Sequence, residues 1–410
     1  MGHHAPRSGA AAGTIAMTKA DPRALNSAGV AALNAGDPAR AATLLRQAAD
    51  ADPGAALLWY NLATALNLLG DAAAEAAALD RALDLEPYLP HALLAKGRLL
   101  ETRGEALAAL EMYRRLLAAV DPAAAHAPGF AAGLAHARAA VEAHTDALAA
   151  RLEAELGAAV EAADPASAMR FAHCVEIGLG RRRVYVHQPL VLHYPYLPAE
   201  QFFDRRHFPW LADLEAATPV IRAELEALLA EGGEGFAPYV AYPPGTPVNQ
   251  WAPLNHNDAW AAQFLVKHGV PQPAVRARCP QTAALLDRLP LFDCPGRGPV
   301  AFFSLLKPRT RIPPHTGATN IRSIVHLPLI VPDACAFRVG SEWRAWQPGE
   351  AIVFDDTIEH EAVNDSDALR AVLILDTWNP HLGASERDLL RDYVAVLDAA
   401  RAGGAAFEPN

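Results

Sequence analysis

Two stretches in the second half of the chain decide its fold: PRTRIPPHTGATNIRSIVHLPL (308–329) and PGEAIVFDDTIEHEAVNDSDALRAVLILDTW (348–378). Each alternates short apolar runs with clusters of Pro, Gly, Asn and Asp, which is the pattern of strands joined by turns. His315 lies in the first stretch, and His360 lies in the second, ten residues before Arg370. Two imidazoles and a guanidinium among predicted strands suggest a metal site that holds a small dicarboxylate.

The same strand pattern continues through the chain after residue 300. The apolar segments AFFSLL, RSIVHLPLIV, CAFRVG, EWRAW, EAIVFD, HEAVN and RAVLILDTW are separated by the turn segments KPRT, PDA, QPGE and NDSD. Many short strands at close intervals are typical of an antiparallel sandwich or jelly-roll barrel. Upstream, residues 183–195 predict a further strand, and residues 223–232 and 281–290 predict helices.

The N-terminal part of the chain repeats with a period of 34 residues between residues 24 and 122. In each unit a glycine allows a tight turn after the first helix, and a proline stops the second helix. A helix–turn–helix unit of this length resembles the tetratricopeptide repeat. Such repeats either bind a peptide in a concave groove or serve as a packing or dimerisation arm. The repeated residues are Gly36, Gly70, Gly104, Pro53, Pro87 and Pro122.

Composition narrows the class of protein. The chain has 410 residues, 52% of them hydrophobic, and a net charge of −11, which argues against a general nucleic-acid binder. Its four cysteines form no C-x-x-C pair, as expected for buried thiols in a reducing compartment. The sequence contains no continuous apolar run of about 18 residues, so we expect no membrane span and a cytoplasmic protein.

The two histidines leave the metal ligation open. Non-heme iron oxygenases usually combine two histidines with one carboxylate, yet the position two residues after His315 is Gly317. Asp355, Asp356 and Glu359 lie near the second histidine, but spacing does not assign them a role. From these residues alone, the site is either a two-histidine site completed by water or no metal site.

Arg370 has two interpretations. It stands between apolar residues of a predicted strand, and an unpaired buried guanidinium is costly, so it should meet an anion. That anion is a bound carboxylate, which a guanidinium grips with two hydrogen bonds, or the side chain of an acid such as Asp376 or Asp355.

The segment from Ser304 to Pro380 resembles the aspartyl/asparaginyl β-hydroxylase family. The resemblance rests on HTGATNIRSIVHLPLIVP, on the element FDD-x-x-x-H-E within W-x-x-W-x-P-G-E-A-I-V-F-D-D-T-I-E-H-E, and on RAVLILDTWNP. It implies a double-stranded β-helix (jelly-roll) domain that depends on Fe(II) and 2-oxoglutarate. Gly317 agrees with it, because this family lacks the carboxylate ligand.

The resemblance also implies the roles of individual residues. His315 and His360 would ligate Fe(II), and no catalytic side chain is implied beyond these ligands. Arg370 would bind the distal carboxylate of 2-oxoglutarate, helped by the Ser304 hydroxyl. His326 would lie near the proximal carboxylate. Arg322 would lie on the substrate side of the site.

The sequence therefore predicts a multidomain α and β protein, a solenoid of tetratricopeptide-like repeats followed by a jelly-roll oxygenase domain with flanking helices. The predicted activity is oxidative decarboxylation of 2-oxoglutarate to succinate and CO2, coupled to hydroxylation of an Asp- or Asn-type side chain in a peptide, protein or carrier-bound substrate. The predicted parts are a flexible tail (1–20), the repeats (21–125), a helical cap or linker (126–180), the oxygenase domain (181–400) and a second tail (401–410).

One position departs from the family pattern. Where the family commonly has a second arginine, in R-x-R-x-H, this chain has Ile324. That change weakens the expectation of an acidic substrate. The alternatives are a small-molecule or lipid hydroxylase of the same class, or an interaction scaffold with an inactive barrel. The repeats predict a peptide or protein partner, and the sequence leaves the oligomeric state open.

Overall fold

The structure is a computed structural model that describes residues 21–121 and 126–401. The chain divides into two compact units, Met1–Phe171 and Ala172–Asn410, which we call the helical unit and the β unit. The predictions for residues 1–20, for Pro122 and for residues 402–410 lie outside the described residues. Among the described helices, none is long and apolar enough to cross a membrane.

The helical unit consists of three helix pairs followed by a long helix, and consecutive helices of the pairs pack against each other. A further helix, α8, spans Pro165–Gly178. The helices of the pairs and the long helix are α1 (Pro22–Asn34), α2 (Pro38–Ala51), α3 (Ala56–Leu69), α4 (Ala72–Leu85), α5 (Pro90–Thr102), α6 (Ala106–Ala119) and α7 (Pro128–Glu161).

A glycine sets the turn within each pair, and an aspartate after it caps the second helix of the first two pairs. Gly36, Gly70 and Gly104 have φ of 76°, 74° and 75°, in the left-handed region that residues with a Cβ rarely adopt. Asp37 and Asp71 then cap the next helix, each accepting a hydrogen bond from the backbone N–H three residues on. The repeat predicted from the 34-residue period is therefore confirmed.

The β unit contains two antiparallel sheets with helices on one side, as the strand pattern predicted. The described residues 183–195 are the exception: they form no strand, and only Leu192 makes a single bridge, to Thr319. The helices are α9 (Leu211–Ala216), α10 (Thr218–Ala230), α11 (Pro273–Arg278), α12 (Pro280–Leu286) and α13 (Ala384–Arg401). The strands are β1 (Ala237–Pro238), β2 (Trp260–Lys267), β3 (Val270–Pro271), β4 (Ala301–Leu306), β5 (Thr310–His315), β6 (Arg322–Ile330), β7 (Cys335–Val339), β8 (Glu342–Ala345), β9 (Ile352–Phe354), β10 (His360–Asn364) and β11 (Arg370–Trp378).

The larger sheet has the strand order β1-β2-β4-β11-β6-β9, with β3 paired to β2, and the smaller sheet has the order β5-β10-β7-β8. Side chains alternate between the two faces of a strand, and β11 shows the result. Leu373 and Leu375 join the core formed with α10 and α12, whereas Val372 and Ile374 face the smaller sheet. Arg370 has the same parity as Val372, so it points between the sheets.

The helical unit depends on close helix contacts at small residues, and Gly97 in α5 offers a test. A Cβ at this position would lie 2.3 Å from Cε1 of Tyr113, which is fully buried and cannot move aside freely. We expect Gly97→Ala to lower the free energy of unfolding by about 1–3 kcal/mol. Urea unfolding followed by far-UV circular dichroism measures the change.

The matched control is Gly157→Ala in α7, where an added Cβ meets no atom within 4 Å. Because alanine favours a helix over glycine, this variant should be unchanged or more stable by up to about 1 kcal/mol. Equal effects of the two substitutions would contradict the packing argument.

Candidate functional site

The two candidate metal ligands meet where the smaller sheet pairs β5 with β10. His315 ends β5, His360 begins β10, and the antiparallel register places the two residues opposite each other. Their ring centroids lie 4.0 Å apart, and both residues border the space between the sheets. Strand pairing therefore brings together two imidazoles that are distant in sequence.

The hydrogen bonds of the two rings select one tautomer. Nδ1 of His315 lies 2.8 Å from the carbonyl oxygen of Pro313, and Nδ1 of His360 lies 3.1 Å from that of Ile358. Because a carbonyl oxygen only accepts, Nδ1 must carry the hydrogen, and the lone pair of each neutral ring is on Nε2. Burial lowers the pKa of His315 to about 4 and that of His360 well below its usual range. Both rings are thus neutral, the form that binds a metal.

No acidic side chain can occupy position 317 in this arrangement. A Cβ on Gly317 would lie 2.0 Å from Oδ2 of Asp356, and the Gly317 N–H donates a 2.6 Å hydrogen bond to the Asp356 carbonyl oxygen. Within residues 21–121 and 126–401, no group of three or more His, Cys, Asp and Glu residues could hold a metal ion. The donor set therefore fits a metal held by two imidazoles, with the other positions left to small ligands.

Arg370 is a buried cation without an acidic partner. Its side chain is 1% exposed, and its Nε and Nη1 have no hydrogen-bond partner in the part of the chain that the structure describes. Its guanidinium lies over the ring of Trp346, with Cζ 4.6 Å from the ring centroid. Burial lowers the pKa of Arg370 to about 10, which leaves it charged at neutral pH. Such a group fits a dicarboxylate that would supply the missing anion.

The two acids that could have paired with Arg370 have other partners. Asp376 accepts a hydrogen bond of 2.8 Å from the backbone N–H of Val300 and faces Arg322. Asp355 lies 2.8 Å from Nδ1 of His187, and this contact raises the pKa of the histidine. The structural ion pair considered for Arg370 is therefore not formed.

Ser304 stands beside Arg370 on the same face of the larger sheet. It lies on β4 opposite Val372, two residues along β11 from Arg370. The Nε1–H of Trp260 donates to its hydroxyl oxygen at 3.1 Å, so the hydroxyl hydrogen remains available for a bound anion. The sequence interpretation missed Trp260, although the short apolar run in WAAQFLVK (260–267) could have indicated a buried strand.

His326 lies on β6 in an aromatic pocket. Its ring centroid is 5.1 Å from that of Phe337, 4.8 Å from that of Phe354 and 5.4 Å from that of Trp346. Burial and the nearby Arg370 charge hold the pKa of His326 well below its usual range. Its Nδ1 has no hydrogen-bond partner among the residues described, so this neutral ring retains a polar atom for a ligand.

Arg322 differs from Arg370 because its charge is already matched. Its guanidinium lies 3.4 Å from Oδ2 of Asp356 and 3.6 Å from Oδ2 of Asp376. Burial raises the pKa of Asp356 to about 6 and that of Asp376 to about 7. The predicted substrate-side arginine thus borders the site, but it faces two internal carboxylates and is not a free cation.

The six residues predicted from the sequence border one cavity of about 610 Å³, which we call the central cavity. Aromatic side chains that the sequence interpretation did not assign, including Tyr239 and Trp251, form part of its wall. The Trp251 ring meets His315 edge to face, with centroids 4.9 Å apart. The six predicted residues are Ser304, His315, Arg322, His326, His360 and Arg370.

The segment 187–192, predicted as part of a strand, is an extended strap along the loop after His315. The backbone N–H of Leu190 donates to the Gly317 carbonyl oxygen at 3.0 Å, and that of Val191 donates to Ala318 at 2.9 Å. The strap therefore holds the loop that directly follows the first candidate ligand, His315.

The comparisons with known proteins concern the unit that carries the two antiparallel sheets and the central cavity. Residues 215–380 match the family model described as aspartyl/asparaginyl beta-hydroxylase. Through its β unit, the chain belongs to the aspartyl/asparaginyl β-hydroxylase family. It is 34% identical over 197 residues to the ornithine lipid ester-linked acyl 2-hydroxylase of Rhizobium tropici, which covers 47% of this chain and 66% of that protein.

Two animal relatives match the same unit. Human aspartyl/asparaginyl beta-hydroxylase is 33% identical over 135 residues, which covers 33% of this chain and 18% of that protein. Aspartate beta-hydroxylase domain-containing protein 2 of Xenopus tropicalis is 33% identical over 214 residues, with coverages of 51% and 55%. The chain thus spans 66% of the Rhizobium relative and 55% or less of these two.

The helical unit is similar to solved tetratricopeptide domains. The first such domain of human RPAP3 is 20% identical, with a TM-score of 0.27, covering 31% of this chain and 96% of that one. The assignment of the repeats rests on the three helix pairs themselves.

The raised pKa of Asp376 predicts a pH dependence of stability. From about pH 4 to pH 7 the folded protein holds a proton that the unfolded chain has released, so this carboxyl makes stability fall as pH rises. Asp376→Asn cannot ionise. We expect its unfolding free energy, relative to the wild type, to rise between pH 5 and pH 7 by at most about 1.4 kcal/mol per pH unit and to level off above pH 7.

Urea unfolding of both proteins at several pH values across this interval measures the difference. A difference that stays constant with pH would contradict the raised pKa.

Proposed function

We propose that the β unit is an Fe(II)- and 2-oxoglutarate-dependent dioxygenase that hydroxylates a C–H bond. The observation that carries this proposal is the buried, unmatched charge of Arg370 in the same cavity as the neutral pair His315 and His360. A bound metal would be ligated by the two imidazoles, and a bound dicarboxylate would neutralise the Arg370 charge. In the overall reaction, substrate, O2 and 2-oxoglutarate are converted to hydroxylated substrate, succinate and CO2.

In this proposal five polar residues of the central cavity have roles. His315 and His360 hold the metal through Nε2. Arg370 binds the distal carboxylate of 2-oxoglutarate, and Ser304 adds a hydrogen bond from its hydroxyl. His326 lies on the neighbouring strand and positions the proximal end. When bound, iron and 2-oxoglutarate supply the oxidising chemistry, while the protein orients them and excludes water.

Two substrate classes compete within the proposed function. The sequence predicts an amino-acid side chain as the substrate. The relative whose name fits this class is the human aspartyl/asparaginyl beta-hydroxylase. The second class is an acyl chain, because the Rhizobium tropici relative is named as an acyl 2-hydroxylase. The apolar Ile324, which borders the central cavity, favours the second class. Binding of a peptide or protein partner by the helical unit stays a prediction.

The metal ligands give the first test of the function. Fe(II) added to the protein without oxygen, in the presence of 2-oxoglutarate, should produce a visible charge-transfer band. His315→Ala and His360→Ala should each abolish this band and the formation of succinate, because a single imidazole cannot retain the metal. His173→Ala, a histidine of α8 that does not line the central cavity, serves as the control.

A wild-type protein that gives neither the band nor succinate would refute the proposed function. That outcome would support the interaction scaffold with an inactive barrel.

Arg370→Lys separates binding of 2-oxoglutarate from binding of the metal. Lysine keeps the charge but loses the two-pronged hydrogen bonding, so we expect the KM for 2-oxoglutarate to rise about 10- to 100-fold. Affinity for Fe(II) alone should not change. Succinate formation at varied 2-oxoglutarate concentration measures the effect.

Arg311→Lys is the matched control, since Arg311 lies on β5 but is exposed and faces Glu361. Equal KM values for the wild type and Arg370→Lys would remove Arg370 from the proposed site.

A further inference from the structure

A second cavity adjoins the central cavity within the β unit. It has a volume of about 970 Å³, and we call it the side cavity. Four residues border both cavities: Tyr239, Val300, Ala318 and Arg322. Neither the metal ligands nor Arg370 border the side cavity, so the proposed chemistry does not account for it.

Apolar side chains contribute more of the side-cavity wall than polar ones, and the charged Lys267 and Glu234 also line it. The wall comes from the larger sheet, from the loop after His315 and from α11 and α13. Two arginines in the wall, Arg278 and Arg297, face the acids Glu231 and Asp398, which balance their charges. The side cavity therefore offers an apolar surface beside these polar groups. Its main apolar residues are Phe264, Val275, Phe292, Ile321, Val394 and Leu397.

The rim of the side cavity is apolar as well. Tyr393 of α13 and Val191 of the strap line the cavity and are both exposed. On the same exposed face of α13, Leu389 and Val396 are 67% and 68% exposed. Contiguous exposed apolar residues beside a cavity mark a site where an apolar ligand enters.

The shared border gives no free cation for an acidic substrate. Arg322 is matched by Asp356 and Asp376, and Ile324 lies further along the same strand. A hydrocarbon chain needs no hydrogen-bond partner, whereas a peptide brings an N–H and a C=O with each residue. The shared border therefore favours a hydrocarbon chain over an acidic peptide.

We propose that the side cavity binds the linear acyl chain of an amphiphilic substrate and that a C–H bond of this substrate is hydroxylated in the central cavity. The inference rests on the proposed function. One oxygen atom of O2 enters the C–H bond and the other enters succinate. The carboxylate that 2-oxoglutarate loses leaves as CO2, so the two-electron oxidation of each molecule accounts for the reduction of O2.

The test uses the full chain with Fe(II) and 2-oxoglutarate in the absence of oxygen. Saturated fatty acids from butyric to palmitic acid are titrated, and quenching of tryptophan fluorescence reports binding. Each added methylene should lower Kd about fourfold, which corresponds to about 0.8 kcal/mol, until the chain fills the cavity. A Kd that does not depend on chain length would overturn the inference.

Two tryptophan substitutions on α11 provide a matched pair. Ala274 lines the side cavity, whereas Ala277 lies on the same short helix but not in the cavity wall, and both are exposed. Ala274→Trp should fill the cavity and raise the Kd for palmitic acid by about tenfold or more, as loss of about two buried methylenes would. Ala277→Trp should change it less than about twofold, because its side chain points away from the chain-binding space.

A second pair on α13 repeats the test with charge. Leu397 lines the cavity and is partly exposed, and its exposed neighbour Val396 does not line it. Leu397→Arg should weaken binding of palmitic acid, while Val396→Arg should not. Equal effects within both pairs would overturn the inference.

Further ligands in the same titration show which kind of molecule carries the acyl chain. They also separate the proposed acyl site from the proposed dioxygenase function. Palmitic acid and a palmitoyl lysophospholipid distinguish a free acid from an esterified lipid, and a charge-matched short peptide tests the peptide class. The charge-transfer band is recorded for every variant. A band with tight peptide binding and no chain-length dependence refutes only the acyl site, whereas absence of the band refutes the proposed function as well.

Discussion

The buried charge of Arg370 is the constraint on which the β unit depends. Leaving a charge unpaired in a protein interior costs several kcal/mol, yet the described chain gives this guanidinium the face of Trp346 and no carboxylate. The two acids considered as its partners, Asp376 and Asp355, instead face Arg322 and His187. Arg322 thus has acidic neighbours, whereas Arg370 has none among the described residues. The fold therefore leaves the Arg370 guanidinium free to bind an anionic ligand.

Local patterns in the sequence account for much of the architecture. The repeated Gly36, Gly70 and Gly104 fix the helix pairs, because only glycine adopts their left-handed turns without strain. The period-2 alternation in RAVLILDTW places Arg370 on the inner face of its strand. Both signals are carried by a few consecutive residues, so no knowledge of distant contacts is needed to find them.

Other features depend on contacts between distant segments. The partners of Arg322 follow from the pairing of β6 with β9 and β11, which brings Asp356 and Asp376 to one guanidinium. The apolar pattern of residues 183–195 suggested a strand. However, Pro189 and Pro195 cannot donate a backbone hydrogen bond, and the N–H groups between them reach the loop after His315 instead. Tertiary pairing therefore decides what the local pattern leaves open.

The close packing of Gly317 against Asp356 restricts how this centre can diverge. A carboxylate cannot be gained at position 317 by one substitution, because its Cβ would collide with the aspartate already there. Position 356 would have to become smaller first, and that change would leave Arg322 with one acid fewer. The two positions are therefore coupled, because an acidic side chain two residues after His315 requires a compensating change at position 356.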